Sequence, residues 1–228
     1  MTCEEIISEL KSRSNPKNIE GMARFGISKK GTLGIPIPVL RTIAKRIGKD
    51  HQLALELWDS GIHEARLLAG FIGDPKQLTE KQMEAWVKDF DSWDTCDQVC
   101  SALFDKTEFA WKKVFEWPER EEEFVRRAGF ALMAALSVHD KQAKDEQFVA
   151  CFPVIIHYSY DERNFVRKAV NWALRQIGKR NLALNAKALV VAKQIQNLDS
   201  KSARWIANDA IRELESESVR KRLKERSR

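Results

Sequence analysis

The sequence predicts an all-α fold: a right-handed α–α superhelix, or solenoid, of HEAT-like helical repeats with about a dozen helices. Three observations predict it. Apolar residues recur at helical spacing along the whole 228-residue chain, with no convincing strand-like alternation. Gly and Pro fall mainly between the periodic segments, as at Pro16, Pro75 and Pro118, where they mark turns and boundaries. Short motifs also return at spacings suited to stacked helix pairs.

Taken in order, Thr2 and Glu5 have the spacing of a capping box, which satisfies the first orphan amides of a helix. Asn15-Pro16 marks a boundary, and the stretch GTLGIPIP from Gly31 to Pro38 reads as a connection. Thr79 and Gln82 repeat the capping pattern. The stretch DSWDTCDQVC from Asp91 reads as a helix start: with Asp91 or Ser92 as cap, Trp93 lies in the first turn and Asp97 one turn later. Cys96, Val99, Cys100 and Leu103 then form a buried arc, and Asp94 suits the positive helix N-terminus. In FVACFPVIIHY, residues 148–158, Pro153 must kink a helix or mark a boundary. The domain is expected over 1–218, with 219–228 a basic tail that forms a frayed helix or a disordered extension.

Composition narrows the function classes. The chain is 43% hydrophobic and 32% charged, and no apolar run approaches the roughly 18 residues of a membrane span. The opening MTCEEIISELK carries carboxylates where a secretory signal carries lysines, so a cytoplasmic protein is expected. Cys3, Cys96, Cys100 and Cys151 lack metal or redox spacing and read as free thiols. No metal site is expected. Five of the six net positive charges belong to the last ten residues, so any anion-binding surface must come from the arrangement of charges rather than from their total.

The repeats supply such an arrangement. FVRRA at 124–128 and FVRKA at 165–169 lie 41 residues apart, inside the roughly 40 to 47 of HEAT-type repeats. RKAVNWALR from Arg167 and RWIANDAIR from Arg204 share Arg, Asn, Ala and Arg at four equal spacings. At about 100° per residue, Val125, Leu132 and Leu136 form one core stripe, and Val166, Ala173 and Ile177 its counterpart. Arg126 and Arg127, then Arg167, Lys168 and Arg175 with Trp172, fall on the far side. That side suits a rod-shaped polyanion. The plainer reading is a solvated face, against which an indole off the core stripe weighs. A carboxylate at Asp97 beside Trp93 would repel phosphates there, and its presence suggests a cation to be stabilised.

These residues resemble the AlkD-type DNA alkylation repair family over most of the chain. The resemblance rests on GMARF at 21–25, LGIPIPVLR at 33–41, WDTCD at 93–97, RAG at 127–129 and, most specifically, FVRKAVNWALR at 165–175. It implies a monofunctional glycosylase that removes cationic N3- and N7-alkylated purines from double-stranded DNA; no cofactor is expected, and the protein is expected to act as a monomer. Trp93, Asp97, Arg127 and Trp172 match the family's functional positions. By that match Asp97 stabilises the sugar cation, Trp93 and Trp172 frame the lesion, and Arg127 holds a phosphate. Ser92 stands where some members have a second tryptophan, and Phe25 replaces a tyrosine.

Structural readings stand beside these. Trp93 could anchor a packing seam, Asp97 could pair with Arg127, and Trp172 could belong to the core. The competing functions are a noncatalytic DNA-binding module and a protein-binding scaffold, each of which the same repeats would serve.

Overall fold

The computed structural model describes residues 1–226, and every regular element among them is helical. The chain folds as two units, Met1–Phe109 and Ala110–Arg228. No helix among the described residues is long and apolar enough to cross a membrane.

The first unit contains α1 (Cys3–Ser12), α2 (Pro16–Ala23), α3 (Ile37–Ile47), α4 (His51–Asp59), α5 (His63–Ile72), α6 (Glu80–Lys88) and α7 (Trp93–Ala102). The capping boxes form as the sequence predicts: the Thr2 hydroxyl accepts from the Glu5 amide while the Glu5 carboxylate accepts from the Thr2 amide, and Thr79 and Gln82 do the same. Asn15 caps α2, with Pro16 in the first turn where its missing N–H costs nothing. In the core, Trp58 and Trp86 stack with centroids 4.0 Å apart, and Trp58 Nε1 donates to Asp89 at 2.9 Å. The indole thus buries its apolar face and satisfies its one donor. Helix α5 packs against α3, α4 and α7.

The second unit contains α8 (Ala110–Glu116), α9 (Glu123–His139), α10 (Asp145–Val149), α11 (Cys151–Tyr158), α12 (Asn164–Gly178), α13 (Leu182–Gln196), α14 (Lys201–Leu214) and α15 (Glu217–Arg226). The two sequence echoes are α9, α12 and α14, with α12 packed against both of the others. The Phe124 and Phe165 rings that open the first echo lie 5.5 Å apart. The starts of these helices and the loops before them are also stitched together. Arg163 Nη1 donates to the Glu121 carbonyl, and the Ser202 hydroxyl to the Asp161 carbonyl at 2.8 Å. Repetition in sequence is therefore repetition of one packing unit. Gly129 in α9 is a close-approach position, since a Cβ there would sit 2.5 Å from Pro118 Cδ.

Pro153 resolves as a boundary. Ala150 separates α10 from α11, and Pro153 occupies the first turn of α11, where no intrahelical partner for its nitrogen is needed. Of the two forms expected for the tail, the helical one is found over Glu217–Arg226, because Val219 and Leu223, one turn apart, are buried. Ser227 and Arg228 lie outside the described residues.

Candidate functional site

In the first unit the site residues are presented by α7. Ser92 is its N-cap residue, Trp93 its first, and Asp97 follows one turn later; both Trp93 and Asp97 are half-buried. The arc beneath them is the expected one, with Cys96, Val99, Cys100 and Leu103 fully buried. Cys96 and Cys100 are in no disulfide, and burial holds the Cys100 thiol well above its ordinary pKa. Among the described residues, no group of three or more His, Cys, Asp and Glu side chains could hold a metal.

Trp93 is pinned through its donor, since Nε1 bonds the Phe25 carbonyl at 3.0 Å. The indole forms one wall of a cleft of about 610 Å³, which Met22, Phe25, Ile27, Ile35 and Pro36 also line. Phe25 itself is 73% exposed and adds an apolar ring to the rim of this open cleft. Arg41 on α3 reaches α7: its Nη2 donates to Gln98 at 2.9 Å and its guanidinium lies 4.8 Å over the Phe71 ring.

Two buried residues that open α5 hold this surface in place. Glu64 is fully buried, and its carboxylate accepts from the amides of Leu33, Gly34 and Ile35 at 2.8, 2.7 and 3.2 Å. It therefore binds the loop before α3 as an anion in a cradle of amides. Gly34 makes the cradle possible, with φ +79° and a Cβ position only 2.4 Å from the Asn15 carbonyl. His63 Nε2 lies 2.9 Å from Asp94 Oδ2, and His63 Nδ1 lies 3.3 Å from the Thr95 hydroxyl. Burial alone would depress the imidazole pKa, but the hydrogen bond and charge of Asp94, with Glu64 and Asp91 behind it, raise it above the ordinary value. Burial pushes the Asp94 carboxyl up. The His63 hydrogen bond and charge, with bonds from Ser92 and the Thr95 amide, more than reverse that and leave its pKa lowered.

In the second unit the expected basic face is more committed than the sequence suggests. Arg127 is only 5% exposed, and its Nη1 donates to the Phe165 carbonyl. The wheel placed it away from a single core stripe, but α9 is buried from Arg127 through Ser137 because it packs against α8, the turn at Trp117–Glu119 and α12. Arg126 donates to the Pro118 carbonyl at 2.8 Å and to Asp161 at 2.9 Å, with its guanidinium 4.7 Å over Tyr158. Arg175 is paired with Glu213 and Asp209 of α14. Arg167 lies 5.1 Å over the Trp205 ring, which is 38% exposed. Lys168 is exposed and Trp172 half-buried on the same helix. The neighbouring Asn171 is buried and donates to Asp209 at 2.7 Å.

The structure thus brings Trp93 and Asp97 together on one helix, and Arg167, Lys168, Trp172 and Arg175 on another. His63 and Glu64 were missed by sequence reasoning. Their partners lie about thirty residues away, and no local spacing announces such bonds; the only signal is a His-Glu pair opening an apolar run.

Comparison with known proteins adds to this geometry. A family model described as "DNA alkylation repair enzyme" matches residues 6–214. An uncharacterized protein of Listeria innocua serovar 6a is 25% identical over 136 residues, 58% of this chain, and the match spans only 61% of that relative's length. A solved chain, described as a member of a new family related to the HEAT-like repeat DNA glycosylases with affinity for branched DNA structures, superposes with a TM-score of 0.78. That likeness covers 93% of this chain and 95% of the other at 19% identity, and it shows that the fold is of the HEAT-like repeat kind.

Proposed function

Because the chain belongs to the family of DNA alkylation repair enzymes, we propose that it is a monofunctional DNA glycosylase that excises cationic N3- and N7-alkylated purines from duplex DNA. The observation that carries this reading is the half-buried Asp97 carboxylate one turn along α7 from a tryptophan whose indole is anchored at Phe25. An anionic group beside an open aromatic surface is poorly suited to holding phosphate. It is suited to a developing cation.

Alkylation at N3 or N7 gives the purine a positive charge, so the base departs neutral, carrying the electron pair of the glycosidic bond. Positive charge moves to the sugar as an oxocarbenium-like centre, which water attacks with loss of a proton. Asp97 would stabilise that charge and orient the water. By comparison with one preorganised charge-stabilising group, its contribution is about 3 kcal/mol, or roughly a hundredfold in rate. Trp93 in the first unit, and Trp172 in the second, would each present a ring face to a cationic nucleotide, a contact that contributes roughly 0.5 to 2 kcal/mol. Lys168 and Arg167 would meet the backbone phosphates, contacts that position DNA without reading sequence. Arg127 would support such a contact from its buried position.

The test is release of free base from duplex DNA containing N7-methylguanine under single-turnover conditions, for wild type and Asp97→Asn. Release by the wild type with a roughly hundredfold loss in the variant, at unchanged DNA affinity, supports the glycosylase and assigns its carboxylate. A second reading is favoured by the affinity for branched DNA described for the structural relative: a HEAT-like module that binds DNA without excision. Release no faster than the spontaneous rate, with tighter binding to a four-way junction than to linear duplex, would select it.

A further inference from the structure

The C-terminal helix α15 closes a basic cleft in the second unit. Its walls are the end of α9 with the turn after it, the end of α12 with the link to α13, and α15 itself. Lys141, Lys179, Arg180, Arg222 and Arg226 line its volume of about 690 Å³, and no carboxylate is among the lining residues.

These cations differ in how they are held. Arg180 is fixed, with Nη1 and Nη2 donating to the carbonyls of Ser137 and Ala143 and the guanidinium 4.5 Å over Phe148. Lys179 is paired with Glu213, and Lys141 donates to the Val138 carbonyl. A purely structural role accounts for those three, since cations favour the C-terminal ends of helices. It does not account for Arg222 and Arg226. Both are exposed, and neither has a side-chain hydrogen bond or ion pair among the described residues. Arg222 directly precedes the buried Leu223 and Arg226 follows it by three residues on α15, so the packing that orders the helix also delivers their charges to the cleft.

We propose that this cleft binds the phosphates of a DNA backbone, with Arg222 and Arg226 as the contacting groups and Arg180 as a fixed charge behind them. The inference rests on the DNA-directed reading above and extends its footprint along α12, past Trp172, to α15. Two observations favour a backbone over a free nucleotide. No aromatic side chain lines the cleft to stack a base. Arg222 and Arg226 form a row one helical turn apart, about 6 Å, which suits successive charges along a strand better than one isolated anion.

The experiment measures affinity of the full chain for a labelled linear duplex across a salt series, for wild type, Arg222→Gln/Arg226→Gln and Arg222→Lys/Arg226→Lys. Each lost phosphate contact lowers the slope of log affinity against log salt by about 0.9. The glutamine variant should therefore lose a slope of about 2 with an unchanged melting temperature, and the lysine variant should keep the wild-type slope. An identical slope in wild type and glutamine variant overturns the cleft while leaving the DNA reading intact. Failure of the wild type to bind duplex overturns both. Stabilisation of the wild type alone by inorganic pyrophosphate, without competition against DNA, would assign the cleft to a small phosphorylated ligand and overturn the proposal.

Discussion

His63 and Asp94 form a buried pair, with Nε2 and Oδ2 2.9 Å apart, that ties the start of α5 to the start of α7. Asp94 follows Trp93 directly and lies three residues before Asp97. The same imidazole meets Thr95, whose hydroxyl lies 3.2 Å from that of Ser92. Three side chains around the helix start, those of Ser92, Asp94 and Thr95, are thereby coupled to one histidine, so the position of the Trp93 and Asp97 surface depends on a bond beneath it.

The protonation of that pair sets a pH window for stability. The His63 pKa is raised above its ordinary 6.5, so its contribution is complete below pH 6.5 and is lost as pH rises through the folded value. The Asp94 pKa is lowered from its ordinary 3.8, so its contribution is complete above pH 3.8 and is lost as pH falls through the folded value. The ion pair therefore stabilises most between those two ordinary values. His63→Ala leaves Asp94 buried and unpaired, which should cost about 3 to 5 kcal/mol in that window. Melting temperatures of wild type and variant across pH should converge as the wild-type histidine deprotonates; a gap constant with pH would remove the charged pair from the account.

Glu64 makes a second prediction at the same helix start. Glu64→Gln keeps the shape but supplies one carbonyl oxygen where three amides need acceptors, and it turns an amide group toward other amides. Hydrogen bonds to a charged acceptor contribute roughly 1.5 to 3 kcal/mol, so denaturant unfolding should show a loss of about that size. Proteolysis should become faster within residues 33–35, the segment the carboxylate holds. Equal unfolding midpoints would mean that the loop keeps its place without the anion.

How much of this was legible in the sequence follows from the range of each interaction. The capping boxes at Thr2 and Thr79 were readable because all their atoms lie within four residues. The stripes Val125, Leu132, Leu136 and Val166, Ala173, Ile177 were readable because a helix repeats its own face, and all six residues are buried. Arg127 was misplaced because one-stripe reasoning fails for a helix packed on several sides. The bonds of Glu64 and His63 span about thirty residues and leave no periodic trace. In α15 the i, i+4 pair of Val219 and Leu223 was present, but the charge run obscured it.

The two cations at corresponding ends of the repeat should separate experimentally. Arg127 is buried and bonded to the Phe165 carbonyl, so Arg127→Gln should lower the melting temperature by an amount equivalent to roughly 1 to 3 kcal/mol, as for a lost charged hydrogen bond. Lys168 is exposed on α12, four residues before Trp172, so Lys168→Gln should leave melting unchanged and reduce the salt slope of duplex binding by about 0.9. The contrast matters because the sequence places both residues off the core stripe, on the side expected to meet DNA, and the family resemblance singles out Arg127 alone. If Arg127→Gln lowers the salt slope without lowering the melting temperature, its burial would have to be relieved on binding, and the guanidinium would count among the groups that touch DNA. If Lys168→Gln melts early instead, its exposed position would be supporting the repeat rather than its ligand.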